Sequence, residues 1–157
     1  MTQMTSIPPY GHERELLTAK IVRTIKDKGL SFKGAAEAVG MSPFVVTAAL
    51  MGQMSLPAEA AEKAAAYLGI PEAAKLLTEI PSRGSLGQAV PTDPLIYRFY
   101  EIVQVFGTTF KAMIEEEFGD GIMSAIDFDL DLSRLPDPNG DRVKIVMTGK
   151  FLKYKRV

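Results

Sequence analysis

The sequence contains no cysteine, and His12 is its single histidine. Without cysteine there can be no disulfide, thiolate zinc site or cysteine nucleophile, and an intracellular compartment is favoured over a secreted one. One histidine cannot build a His-rich metal centre, and it offers a poor basis for a Ser-His-Asp triad. Any catalysis must therefore use carboxylates, arginine, lysine, tyrosine or hydroxyl groups.

A long apolar run and an excess of charge are also missing. No stretch approaches the roughly 20 apolar residues that span a bilayer. Residues 1–15 lack the basic start and apolar stretch of a signal peptide, so we expect a cytoplasmic protein without a membrane partner. The net charge of −1 gives no long-range attraction for a polyanion. The 157 residues suffice for one ordinary domain, or for two small domains that depend on each other.

Glycine and proline divide the first 80 residues into five short predicted helices. Residues 1–11 contain two prolines and a glycine and are expected to form a poorly ordered arm. Ser31 precedes the second predicted helix, which ends at Gly40, and Ser42 is the predicted N-cap of the third. The helices are predicted over residues 12–28, 32–40, 43–52, 58–69 and 72–80.

The second and third predicted helices together have the shape of a helix-turn-helix. Readout of DNA would require Arg, Lys, Asn or Gln side chains at the base edges, backed by basic residues for the phosphates. Residues 42–53 offer Ser42, Thr47 and Gln53 and no basic residue. We therefore interpret this segment as a helical packing module and predict no nucleic-acid partner, with a repressor-like DNA-binding protein as the rival hypothesis.

The composition changes at residues 81–93, where glycine and proline predict a linker between residues 1–80 and a C-terminal domain of residues 94–157. Beyond it we predict one helix that ends at Gly107 and a second that ends at Gly119. The alternation in SAIDFDLDL and RVKIVMTG, with DPNGD between them, predicts a β-hairpin. The fold class is α+β. A lone hairpin is marginal in water, so we expect it to be intertwined in a dimer.

Polar residues of this C-terminal domain are the candidates for function. The apolar residues of the helix after the linker gather on one side as its predicted core stripe: Ile96, Phe99, Tyr100, Val103 and Phe106. Arg98 and Glu101 lie together on the other side. An exposed ion pair of about 0.2–0.5 kcal/mol is one interpretation. The other is a face toward a second subunit, where arginine would bind a small anion and glutamate would relay a proton.

A glycine turn follows in FGDGIMSAI, residues 118–126. Such a turn can present backbone N–H groups and the Ser124 hydroxyl to an anion, although Gly-Asp-Gly is also common in plain loops. Spacing alone does not decide between these interpretations.

The segment PTDPLIYRFYEIVQVFGTTFKAMIEEEFGDGIMSAIDFDLDL strongly resembles the signature region of the cyanase family, also called cyanate hydratase or cyanate lyase. The resemblance extends to FVVTAALMGQMSLPAEAA and to the closing GKFL, and it covers residues 14–152. It implies a lyase that converts cyanate and bicarbonate to carbon dioxide and carbamate, which then breaks down to ammonia and carbon dioxide. It also implies that no metal or organic cofactor is needed.

The same resemblance implies the site and the assembly. The family's catalytic arginine, glutamate and serine fall on Arg98, Glu101 and Ser124. Family members form a homodecamer, a ring of five dimers, with sites at subunit interfaces. Their N-terminal bundle is like that of DNA-binding repressors, and their C-terminal strands interlock within each dimer. A catalytically silent homologue is the third hypothesis, and the three intact site residues argue against it.

Overall fold

The computed structural model describes residues 9–84 and 89–155. Over these residues the chain forms helices and one two-stranded antiparallel sheet, which is the mixed architecture that the sequence predicts. The chain divides into two units, Met1–Gly87 and Gln88–Val157. The elements, in chain order, are α1 (Pro9–Lys28), α2 (Phe32–Val39), α3 (Pro43–Leu50), α4 (Ala58–Leu68), α5 (Ala73–Leu76), α6 (Pro94–Phe118), β1 (Gly121–Leu135) and β2 (Arg142–Lys153).

Local capping signals set most of the helix ends in the N-terminal unit. The Ser31 hydroxyl accepts a hydrogen bond from the Gly34 amide at 2.9 Å, as its position before α2 predicts. Gly40 ends the same helix in the left-handed conformation, with φ of 77°. Ser42 stands at the N-cap of α3 but makes no side-chain capping bond. The predicted N-cap position is therefore confirmed, and proline at the first helical position favours the start of the helix there.

Two predicted helix boundaries in this unit need correction. Helix α1 begins at Pro9, three residues before the predicted start, because proline fits the first turn of a helix; the rest of the predicted arm, residues 1–8, lies outside the described residues. Helix α5 has only four residues. Its predicted continuation ends in turns, since the amides of Thr78 and Glu79 bond carbonyls three residues back.

One hydrophobic core joins the helices of the N-terminal unit. Its buried residues all lie between Leu17 and Leu77, and many are alanines whose short side chains allow α2 and α4 to approach closely. The core includes the largest fully buried side chains of the described chain, which are Ile21, Leu50, Leu68, Leu77 and Val46. The N-terminal unit therefore has a hydrophobic core of its own.

Arg14 is buried beside this core, and its partners among the described residues are backbone carbonyl oxygens. Its guanidinium donates to Ala49 at 3.0 Å, to Met54 at 2.8 Å and also to Leu76 and Glu79. Burial lowers the pKa of Arg14, and the negative charge of Glu79 acts in the opposite direction. The side chain thus ties α1 to the ends of α3 and α5, where helix carbonyls have no intrahelical partner.

The long helix of the C-terminal unit is continuous from Pro94 to Phe118. Its N-cap is Asp93, whose carboxylate accepts from the amides of Leu95 and Ile96 at 3.0 and 2.9 Å. The prediction of two helices divided at Gly107 was wrong. A single glycine inside a helix costs only about 1 kcal/mol relative to alanine, and the helical apolar pattern continues beyond it.

No residue of α6 is buried by the described chain. The predicted core stripe is consequently not a core within this chain: Val103, for example, is 63% exposed, and Phe99 and Phe106 are about half exposed. A packing contact does join the end of α6 to β2, where the rings of Phe118 and Phe151 lie 5.2 Å apart. The C-terminal unit leaves most of its large apolar side chains accessible.

Strands β1 and β2 form the predicted hairpin around the turn at residues 136–141. Ion pairs brace the turn: Arg134 with Asp141 at 2.7 Å and Arg142 with Asp137 at 3.0 Å. Strand β1 starts at Gly121 rather than at the predicted Ser124. The regular ladder from Leu135 back to Phe128 then breaks, and it resumes only at residues 121–123.

Candidate functional site

Ser124 lies in the break of the β1–β2 ladder. Met123 pairs with Phe151 and Phe128 pairs with Gly149, so residues 124–127 of β1 stand opposite the single residue 150 of β2. We call residues 124–127 the Ser124 bulge. Such bulges re-aim side chains and interrupt pairing at sites where a regular strand would not serve.

The Ser124 side chain is almost fully enclosed, with 5% of the residue exposed. Its Oγ accepts two hydrogen bonds from its own bulge, from the Ile126 amide at 3.0 Å and from the Asp127 amide at 2.9 Å. A hydroxyl has two acceptor lone pairs and one donor hydrogen. Both acceptor positions are used here, so the hydroxyl is left with its hydrogen to donate to another acceptor.

The structure changes one part of the prediction made from FGDGIMSAI, which is the position of Ser124 relative to the start of the strand. Ser124 was expected beside the glycine turn that precedes the strand, with backbone amides offered to a ligand. The turn at Gly119 comes before β1, whereas Ser124 lies inside β1. The amides of Ile126 and Asp127 donate to the serine oxygen, and the presentation of the turn amides to an anion stays a prediction.

Arg98 and Glu101 form the predicted pair on α6. The guanidinium Nη1 donates to Glu101 Oε2 at 2.9 Å across one helical turn. Both side chains remain accessible, at 59% and 48%. The Arg98 guanidinium also lies over the ring of Tyr97, 5.5 Å from its centroid, within the range of a cation–π contact. The pair therefore has a defined arrangement while its remaining N–H groups stay available.

The structure brings Arg98 and Glu101 together, and it encloses Ser124 in its bulge. Among the described residues, no hydrogen bond links the arginine–glutamate pair to the serine. Their joint role thus stays a prediction.

The candidate readout positions of the N-terminal unit have other contacts. Gln53 accepts a hydrogen bond from the Gly84 amide at 2.8 Å through its side-chain oxygen. Thr47 is partly buried, and the exposed side chains around it include the apolar Phe44 and Met51. An apolar surface of this kind agrees with a packing module better than with a phosphate-binding one.

Over residues 9–84 and 89–155, no group of three or more His, Cys, Asp or Glu residues has the geometry to hold a metal ion. In the same ranges, no helix combines the length and apolar character needed to cross a membrane.

Sequence reasoning missed Gly149 and Arg14. Gly149 lies against the Ser124 bulge, but it is 25 residues away along the chain and acquires that position only through strand pairing. Arg14 resembles any polar residue of an amphipathic helix, and only the tertiary structure shows its carbonyl partners.

Comparisons with known proteins cover both units. A family model described as the N-terminal region of cyanate hydratase matches residues 14–81, and one described as the cyanate lyase C-terminal domain matches residues 88–156. The cyanate hydratase of Ralstonia pickettii is 58% identical, over 91% of this chain and 98% of that protein. That of Synechococcus sp. strain CC9311 is 51% identical, over 89% and 94%.

Similarity extends to a solved structure. The crystal structure of cyanase from T. urticae matches with a TM-score of 0.76 and 37% identity, and the match covers 88% of this chain and 97% of that one. Matches to both family models and to relatives over nearly their whole length lead to one conclusion: the chain belongs to the cyanate hydratase, or cyanate lyase, family of enzymes.

Proposed function

We propose that this protein is a cytoplasmic cyanase that removes cyanate by reaction with bicarbonate. The products would be carbon dioxide and carbamate, and the carbamate would break down to ammonia and more carbon dioxide. The observation that carries the proposal is the presence, in a chain of this family, of an accessible Arg98–Glu101 pair and an enclosed Ser124 hydroxyl with a free donor hydrogen. Each group suits chemistry between two small anions.

Arg98 would offset the repulsion between the two substrates. Cyanate and bicarbonate are both anions, so their encounter in water is opposed by charge. A guanidinium presents several N–H donors in a fixed plane, and Glu101 occupies only one of its nitrogens by a 2.9 Å bond. The remaining donors can hold two anions side by side, which replaces a bimolecular encounter with a bound pair.

Ser124 would act as a hydrogen-bond donor and not as a nucleophile. Its oxygen lone pairs are engaged by the Ile126 and Asp127 amides. Those two bonds withdraw electron density from the oxygen and strengthen the hydroxyl as a donor. An anion placed against Ser124 would therefore be oriented by the hydroxyl hydrogen in a site that is closed to water.

The reaction then follows from the bound pair. A bicarbonate oxygen would attack the cyanate carbon, and the cyanate nitrogen would take up a proton. The resulting mixed anhydride of carbonic and carbamic acid would lose carbon dioxide and leave carbamate, with one proton consumed overall. Glu101 lies beside Arg98 and can relay that proton or hold the guanidinium in place.

The assembly would complete the site. Within the described chain, helix α6 buries none of its residues and the hairpin leaves apolar residues exposed, as a chain does when it associates with copies of itself. We propose an interlocked dimer, and five such dimers in a homodecamer, with the sites at subunit interfaces. Bound neighbours would bring Arg98, Glu101 and Ser124 of different chains together.

Ammonia release from cyanate, with and without added bicarbonate, tests the proposal. We expect release that requires bicarbonate; no release in either condition would refute the function. Arg98→Ala, Glu101→Ala and Ser124→Ala should each abolish turnover and leave the oligomer intact. Lys111→Ala is the matched control, because Lys111 forms a similar exposed pair with Glu115 on the same helix. Normal turnover in any of the three variants would remove that residue from the site.

A further inference from the structure

Gly149 of β2 lies directly against the Ser124 bulge. A Cβ atom added at Gly149 would fall 2.4 Å from the Ser124 carbonyl oxygen and 2.5 Å from Cγ of Met123. Real Cβ atoms essentially never come this close to another heavy atom. The first of these neighbours is backbone, which cannot turn aside as the end of a flexible side chain can.

Space, and not backbone conformation, is what requires glycine at this position. Gly149 is absent from the glycines with positive φ, whereas the hairpin glycine Gly140 has a φ of 123°. Alanine could therefore adopt the backbone conformation of residue 149 without strain. The missing side chain of Gly149 instead lets the Ser124 peptide group approach β2 at the point where the ladder is interrupted.

We infer that Gly149 is a positioning residue for Ser124, an inference that rests on the proposed function. The Ser124 carbonyl belongs to the same bulge as the Ile126 and Asp127 amides, which donate to the side-chain oxygen of Ser124. A side chain at 149 would push this carbonyl away from β2 and tilt the bulge. The hydroxyl would then leave the place from which it donates to the bound anion.

Gly149→Ala should therefore act on turnover through Ser124. A displacement of about 1 Å at a catalytic group can cost on the order of a hundredfold in rate, so we expect kcat to fall at least about tenfold. The KM for cyanate should change much less, because Arg98 supplies the charge that attracts the anion. Hydrogen–deuterium exchange gives a readout that does not depend on activity: the peptide that contains the Ile126 and Asp127 amides should exchange faster, as it should in Ser124→Ala.

Thr148→Ala is the matched control. Thr148 is the exposed neighbour of Gly149 and pairs with Asp129, so its truncation adds no atom near the bulge. Its kcat and its exchange at residues 126 and 127 should match the wild type. The double variant Met123→Ala with Gly149→Ala removes the side-chain collision but keeps the collision with the Ser124 carbonyl. It should remain as slow as Gly149→Ala.

Three results would overturn the inference. These are wild-type kcat in Gly149→Ala, unchanged exchange at residues 126 and 127, and full recovery of kcat in the double variant, which would assign the effect to Met123 alone. A wild-type enzyme that releases no ammonia would instead refute the proposed function, and the exchange measurement would still decide whether Gly149 positions the bulge.

Discussion

The two units of the chain differ in where their apolar side chains go. In the N-terminal unit, helices α1 to α5 enclose a core of their own, and even the charged Arg14 is covered. In the described part of the C-terminal unit, Ser124 is the only buried residue, while large side chains such as Val103 and Ile126 are exposed. The N-terminal unit has a hydrophobic core, whereas the C-terminal unit leaves its large hydrophobic side chains exposed.

This difference assigns different sources of stability to the two units. The N-terminal unit can derive its stability from burial within one chain. The C-terminal unit has a long helix and a hairpin without a core, and a two-stranded hairpin is marginal by itself in water. All the candidate site residues lie in this second unit. Activity should therefore depend on association, whereas the fold of the first unit should not.

The largest expected effect comes from a charge placed on the exposed apolar side of α6. Val103→Asp would bury an unpaired carboxylate in the proposed interface, at a cost of about 3–5 kcal/mol, which weakens association by a hundredfold or more. Sedimentation velocity should show smaller species, and ammonia release should fall with them. The helical circular dichroism of the N-terminal unit should persist.

Leu16→Asp is the control for this experiment. Leu16 of α1 is about as exposed as Val103, 59% against 63%, but it lies in the unit that has its own core. Its substitution should leave the oligomer intact. Equal dissociation of both variants would contradict the comparison between the two units.

A smaller effect is expected inside the N-terminal unit. Arg14→Met keeps much of the side-chain volume but removes the donor to the Met54 carbonyl, whereas the Ala49 carbonyl keeps a bond from the Gly52 amide at 3.0 Å. An unsatisfied buried acceptor costs about 1–3 kcal/mol, and the Met54 carbonyl is partly buried, so we expect a loss of about 1–2 kcal/mol in the free energy of unfolding by urea. Lys20→Met, which breaks an exposed bridge to Glu72, should cost clearly less than Arg14→Met. Equal losses in the two variants would show that the carbonyl contacts of Arg14 contribute little.

The smallest effect concerns the hairpin turn and acid. The Asn139 amide and then the Arg142 side chain lower the pKa of Asp137 below its ordinary value of 3.8. A lowered folded pKa stabilises the fold above the unfolded pKa, and the contribution disappears as the pH falls through the folded pKa. The melting temperature of Asp137→Asn should thus lie slightly below wild type at pH 6, and the difference should close below about pH 4. Asp131→Asn removes a carboxylate outside the turn and is the control for the loss of one negative charge.

Features set by a few neighbouring residues could be predicted from the sequence. Ser31 and Gly40 bound α2 where capping chemistry predicts, and the DPNGD turn lies between the strands. The continuity of α6 through Gly107 could not be predicted from local signals, because the small cost of one glycine is outweighed by the helical residues on both sides. The Ser124 bulge also could not be predicted from local signals, because it depends on how β1 pairs with β2.

Only part of the candidate site could be predicted from the sequence. Helical spacing predicts that Arg98 meets Glu101, and the structure confirms that contact. Spacing alone did not decide whether the pair is an exposed ion pair without function or part of a site. The family resemblance supplied the functional interpretation. The hydroxyl of Ser124 could be named from that resemblance, but its two amide donors follow from a backbone geometry that the sequence does not display.

The Ser124 bulge also changes which residues of β1 lie on the same face of the sheet. Side chains of a strand alternate between its two faces, and directly paired residues share a face. Phe151 and Gly149 are two apart on β2, so their partners Met123 and Phe128 share a face although they are five apart on β1. Residues 124–127 stand opposite one residue of β2, so β1 has three extra residues here. Because three is an odd number, the side chains of Met123 and Phe128 stay on the same face of the sheet. Loss of a single residue from 124–127 would place them on opposite faces, so the length of this segment should tolerate change less well than its composition.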